Sequence, residues 1–104
     1  MEKFDFGFEK LSRLRLIPGV GQNLRLLKKK DFSHPKYGES VICEFETPDG
    51  VKCEKFVKKD NKTLLPFLNV CEIGQCMRLV YNDSGAKKFY ECYKLSEEEF
   101  NREG

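Results

Sequence analysis

The sequence predicts an all-β fold with one short helix, a five-stranded barrel whose helix falls between the third and fourth strands. Three observations carry that expectation. Apolar and polar residues alternate over 39–47 and again over 51–58, on either side of Thr47-Pro48-Asp49-Gly50. A second pair of strand-like segments, 75–82 and 88–95, flanks Asp83-Ser84-Gly85-Ala86. Between the two hairpins, residues 60–74 gather Leu64, Leu65, Leu68 and Val70 on one side of a helix.

Taken in order, Phe8, Leu11 and Leu14 have helical spacing, so residues 1–19 are expected to form an N-terminal helical cap stopped by Pro18-Gly19. From Asn23 to Lys30 the period becomes that of a strand. It slips at Leu26-Leu27, the signature of a bulge in a strongly bent strand. Residues 31–38, with Pro35 and Gly38, read as a loop. In the first hairpin Val41, Cys43 and Phe45 share one face; across the turn Val51, Cys53 and Val57 face with them, and Lys52, Glu54, Phe56 and Lys58 face away. Pro48 presets φ and Gly50 supplies the left-handed position of the turn. Asp60 or Asn61 caps the helix, Pro66 is tolerated only in its first turn, and Gly74 ends it.

The 104 residues make one domain over 1–95, with an acidic tail over 96–104. The net charge of +2 conceals an asymmetry: the tail holds four Glu against one Arg, and the body holds 18 basic against 13 acidic residues. A basic body with an acidic tail suits a protein that handles polyanions. No apolar run reaches the ~20 residues of a membrane span. The N-terminal residues have neither the basic start nor the apolar stretch of a signal peptide, so an intracellular location, cytoplasm or nucleus, is expected.

Catalytic chemistry finds little to work with. Cys43, Cys53, Cys71, Cys76 and Cys92 are odd in number, four of them lie in apolar segments, and His34 is the single histidine. Reduced core thiols fit better than a disulfide framework, and the closest spacing, Cys71-x4-Cys76, is not the paired short spacing of a zinc site. Gly19-Val20-Gly21 precedes a strand, which is the wrong context for a dinucleotide loop. The expectation is a binding protein and no enzyme, with no metal and no cofactor.

Strand, strand, strand, short helix, strand, strand is the element order of the OB barrel, whose second and third strands and 1–2 and 4–5 loops form one ligand groove. A split β-grasp or another α+β roll would place its helix after the first hairpin. Single-stranded nucleic acid requires cations that follow phosphates and aromatic faces on which bases stack. Candidates for that groove are Lys28, Lys29 and Lys30 on the first strand; Phe32, Lys36 and Tyr37 in the following loop; Lys52, Phe56 and Lys58 on the third strand; and Lys87, Lys88 and Tyr90 around the last turn.

These residues bring the chain close to a known pattern. The Lys-rich first strand, Lys36-Tyr37-Gly38 entering Val41–Phe45, Lys55-Phe56, Leu64-Leu65 and the hairpin from Leu79-Val80-Tyr81 to Phe89-Tyr90 resemble small OB-fold proteins of the single-stranded DNA-binding type, over residues 21–95. The resemblance implies non-sequence-specific binding of single strands, DNA before RNA, as an accessory of replication or repair. It also implies that the acidic tail around Glu97-Glu98-Glu99-Phe100 recruits a protein partner or competes with DNA. Glu44, Glu46 and Glu54 lie on or near the same face and oppose phosphate. They favour the other class of function, a β-barrel adaptor or inhibitor that binds a protein through its groove or tail.

Overall fold

The structure, a computed structural model, describes residues 11–36 and 38–102. Its elements are β1 (Ser12–Arg13), β2 (Gln22–His34), β3 (Gly38–Glu46), β4 (Lys52–Lys58), α1 (Leu65–Val70), β5 (Cys76–Asp83), β6 (Lys88–Leu95) and α2 (Glu97–Asn101). The strands form one sheet in the order β1-β4-β3-β2-β5-β6, curled into a half-barrel. Apart from β1, the neighbours are antiparallel. No helix among the described residues is long and apolar enough to cross a membrane.

The long strand organises the sheet. β2 pairs with β5 through Gln22–Arg25 and with β3 from Arg25 to His34, and its register shifts between Leu26 and Lys28 where the bulge was expected. An extra residue at this point bends the strand, so one β2 serves both halves of the curled sheet. It also reverses which side chains face inward. Leu24 and Leu26 point to the core before the bulge, and Lys29, opposite Cys43, points there after it.

The concave face and α1 enclose the core. Phe45, Leu24, Leu26, Leu64, Leu68, Met77 and Leu79 are fully buried, with Val41, Cys43, Cys53, Val57 and Cys71 around them. Each large side chain removed from water in this way contributes ~1.5–3 kcal/mol. The five cysteines are free thiols and four of them are buried. Burial pushes the thiols of Cys43 and Cys92 up to about 11, against the lowering pull of the Lys29 ammonium on Cys43. These thiols are therefore protonated at neutral pH, the reverse of an activated nucleophile.

Four expectations are corrected by this arrangement. The N-terminal helical cap falls partly outside the described residues. Within them, residues 11–20 hold no helix, because Ser12 and Arg13 pair in parallel with Cys53 and Glu54, and Leu14 N–H donates to the Glu54 carbonyl at 2.8 Å. The helical spacing of Leu14 reflects packing of Leu14 and Leu16 against the core from an extended chain. The loop expected over 31–38 shrinks to the turn around Pro35-Lys36, since β2 continues to His34 opposite Gly38. Among the described residues no strand pair closes the barrel: β1 and β6 are the edges of the sheet. The helix is confined to six residues, with Asn61 Oδ1 accepting from the N–H groups of Thr63 and Leu64 ahead of it.

The acidic tail is a further correction. Residues 97–101 are helical, and Ser96 and Glu99 form a reciprocal capping box at the N-terminus of α2. Phe100 is buried. Asn23 Nδ2 donates to the carbonyls of Glu99 and Phe100, and Arg25 Nη2 meets Glu97 Oε2 at 2.6 Å. The tail is thus docked on the convex face of β2 and β5.

Lys29 has a structural task inside the half-barrel. Its ammonium donates to the carbonyls of Leu68 at 3.0 Å and Cys71 at 2.7 Å at the end of α1, where the Leu68 carbonyl also accepts from Cys71 N–H. Lys29→Gln is expected to cost about 1.5–3 kcal/mol, the range for hydrogen bonds to a charged group, read as a lower urea midpoint with unchanged slope. An unchanged midpoint would show that water replaces the ammonium without loss.

Candidate nucleic-acid interface

The convex side of β4, β3 and β2 is a grid fixed by register. One row runs Lys58, Ser40, Phe32; the next runs Phe56, Ile42, Lys30; the third runs Glu54, Glu44, Lys28; the fourth runs Lys52, Glu46, Arg25. β1 adds Arg13 beside Glu54. The carboxylates therefore occupy only the third and fourth rows, and each of those rows also contains a base. The first two rows carry no carboxylate: they hold Phe32 and Phe56, Ile42, Ser40 and the cations Lys30 and Lys58.

At the centre of those two rows the rings of Phe32 and Phe56 meet edge to face, with centroids 5.8 Å apart and planes 80° apart. Both are half-buried. The guanidinium of Arg13 lies 4.3 Å from the centroid of Phe56 and its Nε is 3.8 Å from Glu54. Lys28, Lys30, Lys52 and Lys58 are exposed around the pair. This produces a half-buried aromatic pair, one ring edge-on to the other, with exposed lysines around it on an antiparallel sheet.

The structure brings together six of the twelve sequence candidates: Lys28, Lys30, Phe32, Lys52, Phe56 and Lys58. Lys36 is exposed in the turn after β2, and Tyr37 lies outside the described residues. Lys29 is turned inward by the bulge. Tyr90 also faces the concave side: its ring is 5.1 Å from that of Tyr81, the Lys55 ammonium is 5.4 Å from its centroid, and its main-chain N–H donates to Thr63 Oγ1. Lys87 and Lys88 belong to the end of the β5–β6 hairpin, where Lys87 lies 5.6 Å from the Phe89 ring and Lys88 is opposite Asp83.

Sequence reasoning missed Arg13 and Ile42. Ile42 was available from the alternation that placed Val41 inward. Arg13 had no local signal, because its place depends on a parallel pairing between distant segments. Among the described residues no three His, Cys, Asp or Glu side chains are grouped to hold a metal ion. Compared with protein-family models, curated proteins and solved structures, the chain matches none.

Proposed function

We propose that the protein binds single-stranded nucleic acid, DNA in the first place, across the convex face of β4, β3 and β2. The observation that carries this reading is the Phe32–Phe56 pair set between Lys30 and Lys58 with Arg13 at 4.3 Å. Bases stack on exposed ring faces regardless of sequence, and lysines on either side track the backbone. The grouping of Glu44, Glu46 and Glu54 in two rows leaves the rows of Phe32 and Phe56 free of carboxylates, with Lys30 and Lys58 as their charged members.

The architecture supports an OB-type barrel in the same reading. A bent β2 paired on both sides, a β3–β4 hairpin, α1, and a β5–β6 hairpin follow the element order of that fold. Lys55 over Tyr90 spans the gap between β4 and β6, and Thr63, ahead of α1, accepts from Tyr90 N–H beside it. An accessory role in replication or repair is the biological setting this activity would serve.

Titration of fluorescent oligo-dT against the protein at increasing salt tests the proposal. Affinity is expected to fall with a log–log slope of about −2 to −4, from three to five phosphates neutralised at ~0.7 each. Duplex DNA and single-stranded RNA serve as comparison arms. No binding at low salt with micromolar protein would end this reading and favour a protein ligand.

A further inference from the structure

A second surface is built where β2 and β3 part, away from the Phe32–Phe56 pair. Gln22, Asn23 and Leu24 are matched to β5 alone, because β3 ends at Glu46 opposite Arg25 and the chain turns off through Thr47–Gly50. Leu26 exchanges main-chain hydrogen bonds with Gly74 and Gln75 on the β5 side. Alternation along the strand then turns the main-chain groups of Asn23 to the other side, into the gap.

The gap is a cleft of about 370 Å³ lined by Arg15, Arg78, Ile17, Val20, Thr47 and Pro48. Arg78 is set in place from two directions. Its Nη1 donates to Asn23 Oδ1 at 3.0 Å, and Asn23 is itself held by the carbonyls of Glu99 and Phe100. On the other side its guanidinium lies over Gly21, where an added Cβ would stand 2.5 Å from Nε and displace it from this position. Beside this fixed cation, Ile17 is 67% and Val20 54% exposed. Apolar side chains this open, grouped around one cleft, mark an interaction site.

We propose that this cleft binds an acidic peptide in extended form. Its main chain adds to the sheet at Asn23, a carboxylate meets Arg78 and Arg15, and a neighbouring apolar side chain covers Ile17 and Val20. A nucleic-acid strand matches the arginines but makes no use of the apolar rim of Ile17 and Val20. α2 takes part as a positioning element, because its carbonyls orient Asn23 and through it Arg78. The proposal does not rest on the single-strand reading.

The probe is a labelled octapeptide, GSDLEIDG, with the basic GSKLKIKG as control, followed by fluorescence anisotropy and by amide shifts of isotope-labelled full-length protein. Saturable shifts are expected at Gly21, Asn23 and Thr47 with the acidic peptide and none with the basic one. Arg15→Ala and Val20→Ser change exposed side chains and leave the fold intact; each is expected to weaken the acidic peptide about three- to tenfold. Absence of saturation at about 1 mM peptide, a range that excludes any affinity of biological use, would overturn the proposal, as would shifts centred elsewhere. Oligo-dT shifting the same three amides where the peptide fails would assign the cleft to nucleic acid and overturn it as well. A protein that ignores oligo-dT and still binds the acidic peptide would remove the proposed function and leave this inference standing.

Discussion

Replacing both Phe32 and Phe56 by alanine is expected to weaken oligo-dT binding by about two orders of magnitude while leaving its salt dependence unchanged. Loss of base stacking costs ~1–3 kcal/mol per base, and both rings belong to the aromatic pair on which the strand is proposed to lie. No phosphate contact is removed, so the number of counterions released, and with it the log–log slope, stays the same. Lys30→Gln with Lys58→Gln should do the reverse, flattening the slope by about 0.7 for each lysine that neutralises a phosphate. The two double variants therefore separate stacking from charge by measurement. Both phenylalanines lie half-buried on the convex side, outside the core cluster, so the alanine variant should remain folded by circular dichroism. Unchanged affinity in that variant, with the fold intact, would move the ligand off this face.

The parts of the fold that were legible in the sequence are those decided locally. The alternation of Val41, Cys43 and Phe45 with Ile42 and Glu44 fixes which face is buried. The Thr47–Gly50 turn closes with Gly50 N–H donating to the Thr47 carbonyl, and Gly50 adopts φ +86°. The slip at Leu26-Leu27 likewise announced the bulge. Its consequence for Lys29 was legible too, had the change of parity been carried forward: a residue that alternates outward before a bulge alternates inward beyond it. Three consecutive lysines look alike in sequence, and the bend of the strand separates Lys29 from Lys28 and Lys30.

The rest depends on contacts that no local pattern carries. Tyr90 and Tyr93 lie on opposite faces of β6, and which of them turns inward is set by register with β5, where Tyr90 is opposite Tyr81. Arg13 reaches Phe56 only because a two-residue strand pairs in parallel with the edge of β4. The charge of the C-terminal residues, taken alone, conceals their helix. Ser96-x-x-Glu99 is a capping box visible in the sequence, and Phe100 follows it at a position that can be buried. Three consecutive glutamates drew attention to solvation when they were also the favourable first turn of a helix.

Phe100→Ala is expected to be the most damaging single change outside the central core, at about 3–4 kcal/mol by the scale of buried phenylalanine truncations. Phe100 is 3% exposed, and Arg25 lies over its ring with the guanidinium carbon 4.9 Å from the centroid. Arg25 Nε is buried without a hydrogen-bond partner, so the ring face is what that side of the guanidinium rests against. Losing the ring strips Arg25 of that cover and frees α2, whose five residues cannot hold a helix without tertiary packing. Asn23 then loses its two carbonyl acceptors, and the disturbance passes to Arg78. Urea denaturation measures the loss, and increased amide exchange at Asn23 and Arg25 would locate it; an unshifted midpoint would show that α2 contributes nothing to stability. Acid should weaken the same docking by a different route. Hydrogen bonds from Ser96 N–H and hydroxyl geometry around the capping box hold the Glu99 carboxyl below its usual 4.5. Its contribution is therefore complete above that pH and is lost as pH falls through the lowered value in the folded protein. In Phe100→Ala, where α2 is already released, stability should lose that part of its dependence on pH below 4.5.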